Sequence, residues 1–451
     1  MISDKPVVSK EELLAKAKKP AEDAMRLHAF YRGKMETVLK CRIRDLNDFA
    51  IWYTPGVAAP CKAIQADPDR VYELTNKWNT IAVVSDGTRV LGLGDIGPKA
   101  GLPVMEGKAL LFKYLGGVDA VPLMLDTKNP DEIIQAVKWL QPAFGGVNLE
   151  DLSQPKCFRI LDTLRAQAEI PVWHDDQQGT ATVTLAGLIN ALKVVNKKID
   201  SVRVAFVGSG ASNVACSRLA FAAGLRPELT MMVDTKGILN KQRRDVEMRK
   251  TEFVDKWRLC QITNEDQREG GIAEALEGAD VCVALSTPGP DTIQKEWIAR
   301  MAKDAIVFLC ANPIPEMWPW DATEAGAAVV ATGRSDFPNQ VNNSLGFPGI
   351  FRGALDVRAK TITDEMCIAA AHALADMAGD RLTPEYILPT MDEWEVFPRE
   401  AVAVAMKAQE QGVARLHVEE NELYRHAEAM IKRARDMVHE HMEHGYIAHS
   451  D

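Results

Sequence analysis

The sequence predicts an α/β protein whose sheets carry ligands at the carboxyl ends of their strands. Three observations support this class. A short apolar run at 170–173 is followed by an acidic loop and then by 181–195, where apolar residues recur at helical spacing. The strongest strand pattern, 201–207, is followed by a glycine-rich loop and a second helical segment. Further apolar runs alternate with helical segments along the chain, so we expect doubly wound parallel sheets with ligands in the crevice beyond the strand ends.

The composition argues against several kinds of partner. The 451 residues carry a formal net charge of -10, whereas a surface that binds nucleic acid or anionic membrane needs clustered excess Lys and Arg. No two of the eight cysteines lie closer than Cys41 and Cys61, which excludes a Cys-x-x-Cys site and favours buried, reduced thiols. The first twenty residues lack the apolar core of a signal peptide, and no run is long enough to span a membrane. We therefore expect a cytoplasmic protein of two or three domains.

The first segments predict a surface helix and a turn. Residues 9–29 form an amphipathic pattern whose start, Ser9 to Glu12, is typical of a capped helix. A Pro55-Gly56 turn follows Tyr53. A tyrosine beside such a turn is a candidate acid if its phenol is exposed, although packing is the commoner role.

The next segment carries a candidate base. Residues 81–84 and 89–93 predict a hairpin around Asp86-Gly87, with Arg89 just past its tip. Residues 92–107 predict a long loop that opens a helix at 109–115. The glycine spacing and Ala109 exclude a nucleotide-triphosphate P-loop. Lys108 would then lie at a helix N-terminus, where the dipole lowers its pKa and suits it to act as a base, unless it is a surface lysine.

Acidic side chains follow two predicted strands. Residues 119–126 and 144–149 predict buried strands with a helix at 130–140 between them, and the second strand leads into Glu150 and Asp151. Asp175 and Asp176 follow the strand at 170–173. Glu150, Asp151 and Asp176 thus form an all-oxygen set that suits Mg²⁺ or Mn²⁺. Each pair alone would also fit a helix start or an Asx turn.

Residues 201–234 predict a dinucleotide-binding unit. The strand 201–207, a glycine loop, a helix to Gly224 and a strand at 229–233 ending in Asp234 follow the expected order. The loop consists of Gly208, Ser209, Gly210, Ala211, Ser212 and Asn213. Asn213 replaces the third glycine, and either crowds the helix or forms a hydrogen bond within the turn.

The same unit leaves the choice of dinucleotide open. Asp234 slightly favours NAD, because a carboxylate there accepts from the ribose diol. Four cationic residues downstream would instead suit the 2′-phosphate of NADP: Lys236, Lys241, Arg243 and Arg244.

The last third of the chain predicts three more strands and a helical tail. The strands lie at 281–285, 305–310 and 328–331, and the second leads into Asn312-Pro313. Residues 337–349 add further amides, including Asn343, in a proline-containing loop. The tail from Pro384 holds six of the nine histidines, in a pattern that favours a solvated helix face over a metal site.

Taken together, these motifs resemble the malic enzyme family, in particular its short bacterial-type members. They occur in the family's order between residues 25 and 410. The matching segments are Tyr53–Val57, Ser85–Arg89, Gly92–Asp95, Glu106–Lys108, Glu150–Asp151, His174–Thr180, the Gly208 loop, Asn312–Pro313 and Gln340–Asn343.

The resemblance implies roles for individual residues. Glu150, Asp151 and Asp176 would bind the divalent cation. Lys108 would be the general base supported by Asp175, and Tyr53 the general acid. Arg89 would pair with a malate carboxylate, while Asn312 and Asn343 would contact substrate or nicotinamide.

The resemblance also implies an activity and an architecture. The activity would be oxidative decarboxylation of (S)-malate to pyruvate and carbon dioxide with reduction of NAD or NADP. The domains would be an N-terminal catalytic domain (1–170), a Rossmann-type dinucleotide-binding domain (171–385) and a helical C-terminal segment (386–451) that packs back on the first domain. The assembly would be a homo-oligomer, either a dimer or a dimer of dimers. Two alternatives stay open: a malolactic-type lyase that retains its NAD, and a non-catalytic dinucleotide sensor.

Overall fold

The computed structural model describes the backbone of residues 10–450 and the side chains of residues 20–450. The predicted cap at Ser9 lies outside the described residues. The strands in this range are β1 Thr80–Ser85, β2 Asp119–Met124, β3 Gly146–Leu149, β4 Val172–His174, β5 Val204–Val207, β6 Thr230–Asp234, β7 Gly237–Ile238, β8 Val281–Ala284, β9 Ala305–Leu309 and β10 Ala327–Thr332.

Helices surround the strands and form the last quarter of the chain. The described α-helices are α1 Lys10–Tyr31, α2 Leu46–Trp52, α3 Ala58–Ala66, α4 Val71–Leu74, α5 Gly97–Gly116, α6 Pro130–Leu140, α7 Lys156–Gln167, α8 Thr180–Val194, α9 Ala211–Ala222, α10 Arg244–Glu247, α11 Val254–Ile262, α12 Ile272–Leu276, α13 Lys295–Ile298, α14 Pro319–Glu324, α15 Phe347–Asp356, α16 Asp364–Asp376, α17 Val396–Glu410 and α18 Glu420–Glu443. None of these helices combines the length and the apolar composition that a membrane crossing requires.

The first sheet has the strand order β2-β1-β3-β4 and is parallel throughout. The hairpin expected at Asp86-Gly87 is wrong, because both edges of β1 are already paired with the parallel strands β2 and β3. The segment after β1 turns back on itself through a single bridge between Val90 and Gly94. β2 is half-buried, not buried as predicted, because it is the edge strand. The parallel pairing brings the acidic segments after β3 and β4 to one edge of this sheet.

The second sheet has the order β10-β9-β8-β5-β6-β7. All its strands are parallel except β7, which pairs antiparallel with β6. The chain winds outward from β5 in one direction and from β8 in the other, so the crevice for a ligand lies between their carboxyl ends. This arrangement confirms the Rossmann-type fold that the sequence predicted.

Helix α5 is longer than the sequence predicted and corrects the expected position of Lys108. The helix begins at Gly97, with Pro98 in its first turn, and therefore includes most of the segment expected to be a loop. Its buried residues recur at helical spacing and include Met105, Ala109 and Phe112. Burial of this face outweighs the poor helix propensity of the glycines and of Pro103. Lys108 thus lies in the middle of a helix and not at its N-terminus.

The C-terminal helices return to the first sheet. Helix α15 packs against both α5 and α17, and α18 packs against α5 and α17. The Phe112 ring lies 4.5 Å from the Phe347 ring and 5.2 Å from the Phe351 ring, measured between centroids.

The first sheet extends past residue 170, where the sequence placed a domain boundary, because β4 pairs with β3. The division into three domains stays a prediction.

Candidate active site

Three acidic side chains converge at the carboxyl edge of the first sheet. Glu150 and Asp151 follow β3, and Asp176 lies in a π-helical turn, Asp175–Gly179, that follows β4. One carboxylate oxygen from each of the three lies within 4.8 Å of the others. The structure therefore brings the predicted ligand set together, although the binding of a metal by these residues stays a prediction.

Hydrogen bonds hold two of these carboxylates in place. The backbone N–H of Asp151 donates to Asp176 Oδ2 at 2.8 Å, and Asn148 Nδ2 donates to Glu150 Oε2 at 2.8 Å. Asp151 Oδ2 is buried and has no hydrogen-bond partner among the described residues. The cluster therefore keeps at least one carboxylate oxygen available for a ligand.

The electrostatics of the cluster fit a divalent cation. Burial raises the pKa of Glu150 well above its ordinary value, that of Asp151 to about 8, and that of Asp176. Repulsion from neighbouring carboxylates adds to the rise for Glu150 and Asp151. A hard cation would remove this repulsion, and three carboxylates are the donors that Mg²⁺ or Mn²⁺ prefers.

Lys108 lies against this cluster. Its Nζ is 2.5 Å from Asp175 Oδ2, 3.1 Å from Glu150 Oε1 and 4.3 Å from the centroid of the Phe347 ring. Burial alone would lower the pKa of Lys108, but attraction to Asp175 and Glu150 outweighs it and raises the pKa. The predicted lowering by a helix dipole is therefore wrong, because Lys108 is not at a helix end and two anions face it.

The π-helical turn positions Asp175. The carboxylate is fully buried and accepts from Lys108 and, at 3.3 Å, from Trp173 Nε1. A Cβ on Gly179 would lie 1.9 Å from Asp175 Oδ1 and 3.4 Å from the Cβ of Asn343. Gly179 thus allows Asp175 and the Asn343 loop to approach each other.

Arg89 lies at the entrance of the site. Its side chain is exposed, and its backbone N–H donates to the Asp151 carbonyl at 3.0 Å. Burial raises the pKa of Asp176, and the charge of Arg89 opposes part of that rise. No ion pair joins Arg89 to another described side chain, so the guanidinium is available to an anionic ligand.

The loop that carries Arg89 meets the second sheet. A Cβ on Gly92 would lie 2.8 Å from the Asn312 carbonyl oxygen and 3.6 Å from Pro288. Asn312 follows β9 and is itself exposed. The acidic edge of the first sheet therefore faces the crevice edge of the second.

Tyr53 is a surface residue of the chain. Its side chain is 73 % exposed at the end of α2, and no hydrogen bond joins it to a described residue of the acidic cluster. The role of Tyr53 as an acid stays a prediction.

The glycine loop leads directly into the N-terminus of α9, and its dinucleotide-binding role stays a prediction. Gly208 has φ +100, and a Cβ there would lie 2.6 Å from the Leu285 carbonyl oxygen. A Cβ on Gly210 would meet no atom within 4 Å, and α9 begins at the next residue. Asn213 donates from Nδ2 to the Val207 and Gly208 carbonyls at 2.8 and 3.0 Å. Of the two expectations for Asn213, the hydrogen bond within the turn is the one that the structure supports.

Two buried polar residues near the site were not assigned by the sequence. Glu316 accepts from the backbone N–H groups of Ser286 and Ala311 at 2.8 and 3.1 Å, which ties the ends of β8 and β9 together. His174 is fully buried, and burial lowers its pKa to about 4, so it is neutral. The sequence signal for Glu316 was its position between a proline-rich turn and the apolar run at 317–320. No feature of the sequence distinguished His174.

Known proteins resemble the chain over nearly its whole length. The malic enzyme N-terminal domain matches residues 32–165, and the malic enzyme NAD binding domain matches residues 177–410. The bifunctional malic/malolactic enzyme of Bacillus subtilis is 48% identical over 407 residues, which cover 89% of this chain and 96% of that protein. The NAD-dependent malic enzyme of Geobacillus stearothermophilus is 50% identical over 385 residues, which cover 85% of this chain and 78% of that protein. Other relatives are named NADP-dependent malic enzymes.

A solved structure agrees with these sequence matches. The crystal structure of Entamoeba histolytica malic enzyme has a TM-score of 0.95 to this chain at 49% identity, and the match covers 99% of this chain and 93% of that one. With both family domains matched in order and the fold shared from end to end, the chain belongs to the malic enzyme family.

Proposed function

We propose that the protein catalyses the divalent-metal-dependent oxidative decarboxylation of (S)-malate to pyruvate and carbon dioxide, with reduction of NAD or NADP. The observation that carries this proposal is the position of Lys108, which is paired with Asp175 beside the three-carboxylate cluster. That cluster faces the crevice of a dinucleotide-binding fold, so a base, a metal site and a hydride acceptor would meet at one place.

The cofactors would supply chemistry that no side chain here offers. Glu150, Asp151 and Asp176 would hold the cation, and the Gly208 loop with the start of α9 would hold the dinucleotide. When bound, the cation supplies a Lewis acid for the C2 oxygen of malate and the nicotinamide accepts the hydride.

Lys108 would take the proton from the C2 hydroxyl of malate. A base must be neutral, and the pairing with both Asp175 and Glu150 keeps the amine charged. Lys108 can therefore act as a base only if one of these two carboxylates is neutralised by another cation. Glu150 is that carboxylate, because it also belongs to the proposed metal-ligand set. Asp175 would then orient the amine, which makes it a positioning residue.

The remaining residues would bind substrate and return a proton. Arg89 would pair with a malate carboxylate, since its exposed guanidinium has no ion-pair partner among the described side chains. Asn312 and Asn343 would donate amide hydrogen bonds to substrate or nicotinamide. Tyr53 would protonate C3 after carbon dioxide has left.

A malolactic-type conversion of malate to lactate is the second candidate, supported by the name of the Bacillus subtilis relative. Incubation with (S)-malate, Mn²⁺ and either NAD or NADP, with pyruvate, lactate and reduced dinucleotide measured together, separates the candidates. We expect equimolar pyruvate and released reduced dinucleotide. Lactate without released reduced dinucleotide would replace the first proposal by the second, and no turnover would favour a dinucleotide sensor.

We also propose a cytoplasmic homo-oligomer, a dimer or a dimer of dimers. Support for the assembly comes from residues 25–57, where six large apolar side chains are more than half exposed: Met25, Leu39, Leu46, Ile51, Trp52 and Tyr53. An exposed apolar segment of this size is typical of an interaction surface. Support for the compartment comes from eight cysteines that are all free. Light scattering after gel filtration measures the assembly, and a monomer would overturn it.

Because Tyr53 lies on this exposed segment, its phenol would reach a site across the interface between two copies. Co-expression of Tyr53→Phe with Lys108→Ala tests this arrangement. Random pairing would restore about a quarter of wild-type activity, because half of the dimers are mixed and each mixed dimer has one complete site. If each copy completed its own site, the mixture would stay as inactive as either variant alone.

A further inference from the structure

Asp234 lies at the end of β6, and the cationic side chains around it determine which dinucleotide fits there. We propose that this corner of the second sheet recognises a 2′-phosphorylated dinucleotide, NADP, through Lys236 and Lys256, and that Asp234 does not select NAD. The inference rests on the proposed function only in assuming that the chain binds a nicotinamide dinucleotide.

Asp234 has no free acceptor position for a ribose hydroxyl. Its Oδ1 accepts from the backbone N–H of Lys236 at 2.8 Å and from Arg243 at 3.0 Å. Its Oδ2 accepts from Arg243 at 2.8 Å and lies 2.5 Å from Lys256 Nζ. A carboxylate offers about four lone-pair sites, and these four contacts use them all. An NAD-selecting hydrogen bond to the ribose diol would have to displace one of these partners.

Arg243 fixes Asp234 in this state. Its Nε donates to Asp245, one terminal nitrogen donates to Asp234 and the Gly237 carbonyl, and the other donates to Asp234 and Asp245, all between 2.8 and 3.1 Å. All five guanidinium N–H donors are therefore in use. Burial alone would raise the pKa of Asp234, but hydrogen bonds from Arg243 and Lys256 hold it below its ordinary value. Asp234 is thus a charged, internally paired group.

The two lysines keep donors for an additional anion. Lys256 Nζ contacts Asp234, and Lys236 Nζ lies 3.3 Å from Asp245 Oδ2, so one of three ammonium N–H groups on each is accounted for. The Lys236 side chain is 67% exposed. Since the adenosine ribose of a bound dinucleotide lies at the end of this strand, a 2′-phosphate would meet two ammonium groups there.

Fluorescence titration of the metal-free protein with NADPH and with NADH tests the inference by binding alone, because the two ligands differ only in the 2′-phosphate. We expect wild type to bind NADPH at least about tenfold more tightly than NADH. Lys236→Gln and Lys256→Gln should each weaken NADPH binding about tenfold without weakening NADH binding, as expected for the loss of one charge-assisted hydrogen bond to the 2′-phosphate.

Lys303→Gln is the matched control. It removes the same charge from an exposed lysine that precedes β9, at the edge of the sheet opposite the crevice, and should change neither affinity. Equal or tighter binding of NADH by wild type, or equal weakening of both ligands by the lysine variants, would overturn the inference. Tight NADPH binding without malate turnover would remove the proposed function alone, whereas malate oxidation by a protein that prefers NADH would remove the inference alone.

Discussion

Lys108 shares its charge between two acids that have different surroundings. Asp175 is fully buried, and its oxygens accept from Lys108 and Trp173, so it can only orient the amine. Glu150 also lies within the three-carboxylate cluster and is therefore available to a cation. A single buried lysine thus contacts both its positioning group and a member of the metal site.

Replacing this lysine should remove the proposed proton transfer without affecting dinucleotide binding. We expect Lys108→Ala to lower kcat/KM for malate by about 10³-fold, within the range of general base catalysis, and to leave the NADPH affinity unchanged. Lys99→Ala, at an exposed position of the same helix, is the control and should retain full activity. Equal loss of turnover and of NADPH binding would show that Lys108 has a structural role.

Asp176 provides the corresponding test of the metal site. Asp176→Asn keeps the shape of the side chain but removes one negative charge, and should weaken Mn²⁺ binding about tenfold to a hundredfold. Direct titration of Mn²⁺ by electron paramagnetic resonance measures this without turnover. Asp200→Asn removes an exposed acid before β5 and should bind Mn²⁺ as wild type does. An Asp176→Asn protein with wild-type Mn²⁺ affinity would exclude Asp176 from the ligand set.

The π-helical turn Asp175–Gly179 is the structural element that determines the geometry of the site. The turn widens the start of α8, so Asp175 faces Lys108 while Asp176 joins the acidic cluster. This arrangement needs Gly179, because the Asp175 carboxylate occupies the volume that a side chain there would fill.

A methyl group at Gly179 should therefore displace Asp175. We expect Gly179→Ala to lower kcat/KM about 10²-fold, as a misplaced catalytic group does. Gly107→Ala is a folding control, because a Cβ there would meet no atom within 4 Å, and thermal unfolding should show it at least as stable as wild type. If Gly179→Ala kept full activity, Asp175 would not position Lys108.

The C-terminal helices pack against the elements that carry the site. Glu400 in α17 is fully buried, and neither carboxyl oxygen has a hydrogen-bond partner among the described residues. A Cβ on Gly349 would lie 2.2 Å from Glu400 Oε2, so α17 packs directly on the start of α15. That start follows the loop carrying Asn343, which links the tail to the site.

Glu400 should make the stability of the fold depend on pH. Burial raises its pKa well above the ordinary value of 4.5, so the folded protein holds the neutral acid while the unfolded chain ionises above that pH. Its effect on stability is therefore most favourable below pH 4.5 and declines as pH rises toward the folded pKa. Glu400→Gln should remove this decline. Melting temperatures of both proteins from acid to neutral pH measure it, and parallel curves would contradict the assignment.

Some features of the site were predictable because they depend on short-range order. A strand followed by a polar loop and a helix is recognisable from apolar periodicity, so the Gly208 loop and the acids after β3 and β4 were placed at strand ends. Parallel pairing then brings such ends to one edge, which is why carboxylates from two separate segments were expected together. The start of α5 was missed because its glycines and prolines disfavour a helix locally, and only packing against the sheet compensates for them.

The α/β class, the dinucleotide loop and the residues of the acidic cluster follow from the amino-acid sequence alone, since each is set by residue type and spacing along the chain. The charge state of Lys108, the exposure of Tyr53 and the pairing of Asp234 follow from the folded structure alone. These three properties depend on which distant groups lie within a few ångströms. Asp175 and Glu150 hold the lysine as an ammonium ion, and Arg243 and Lys256 occupy the acceptor sites of Asp234.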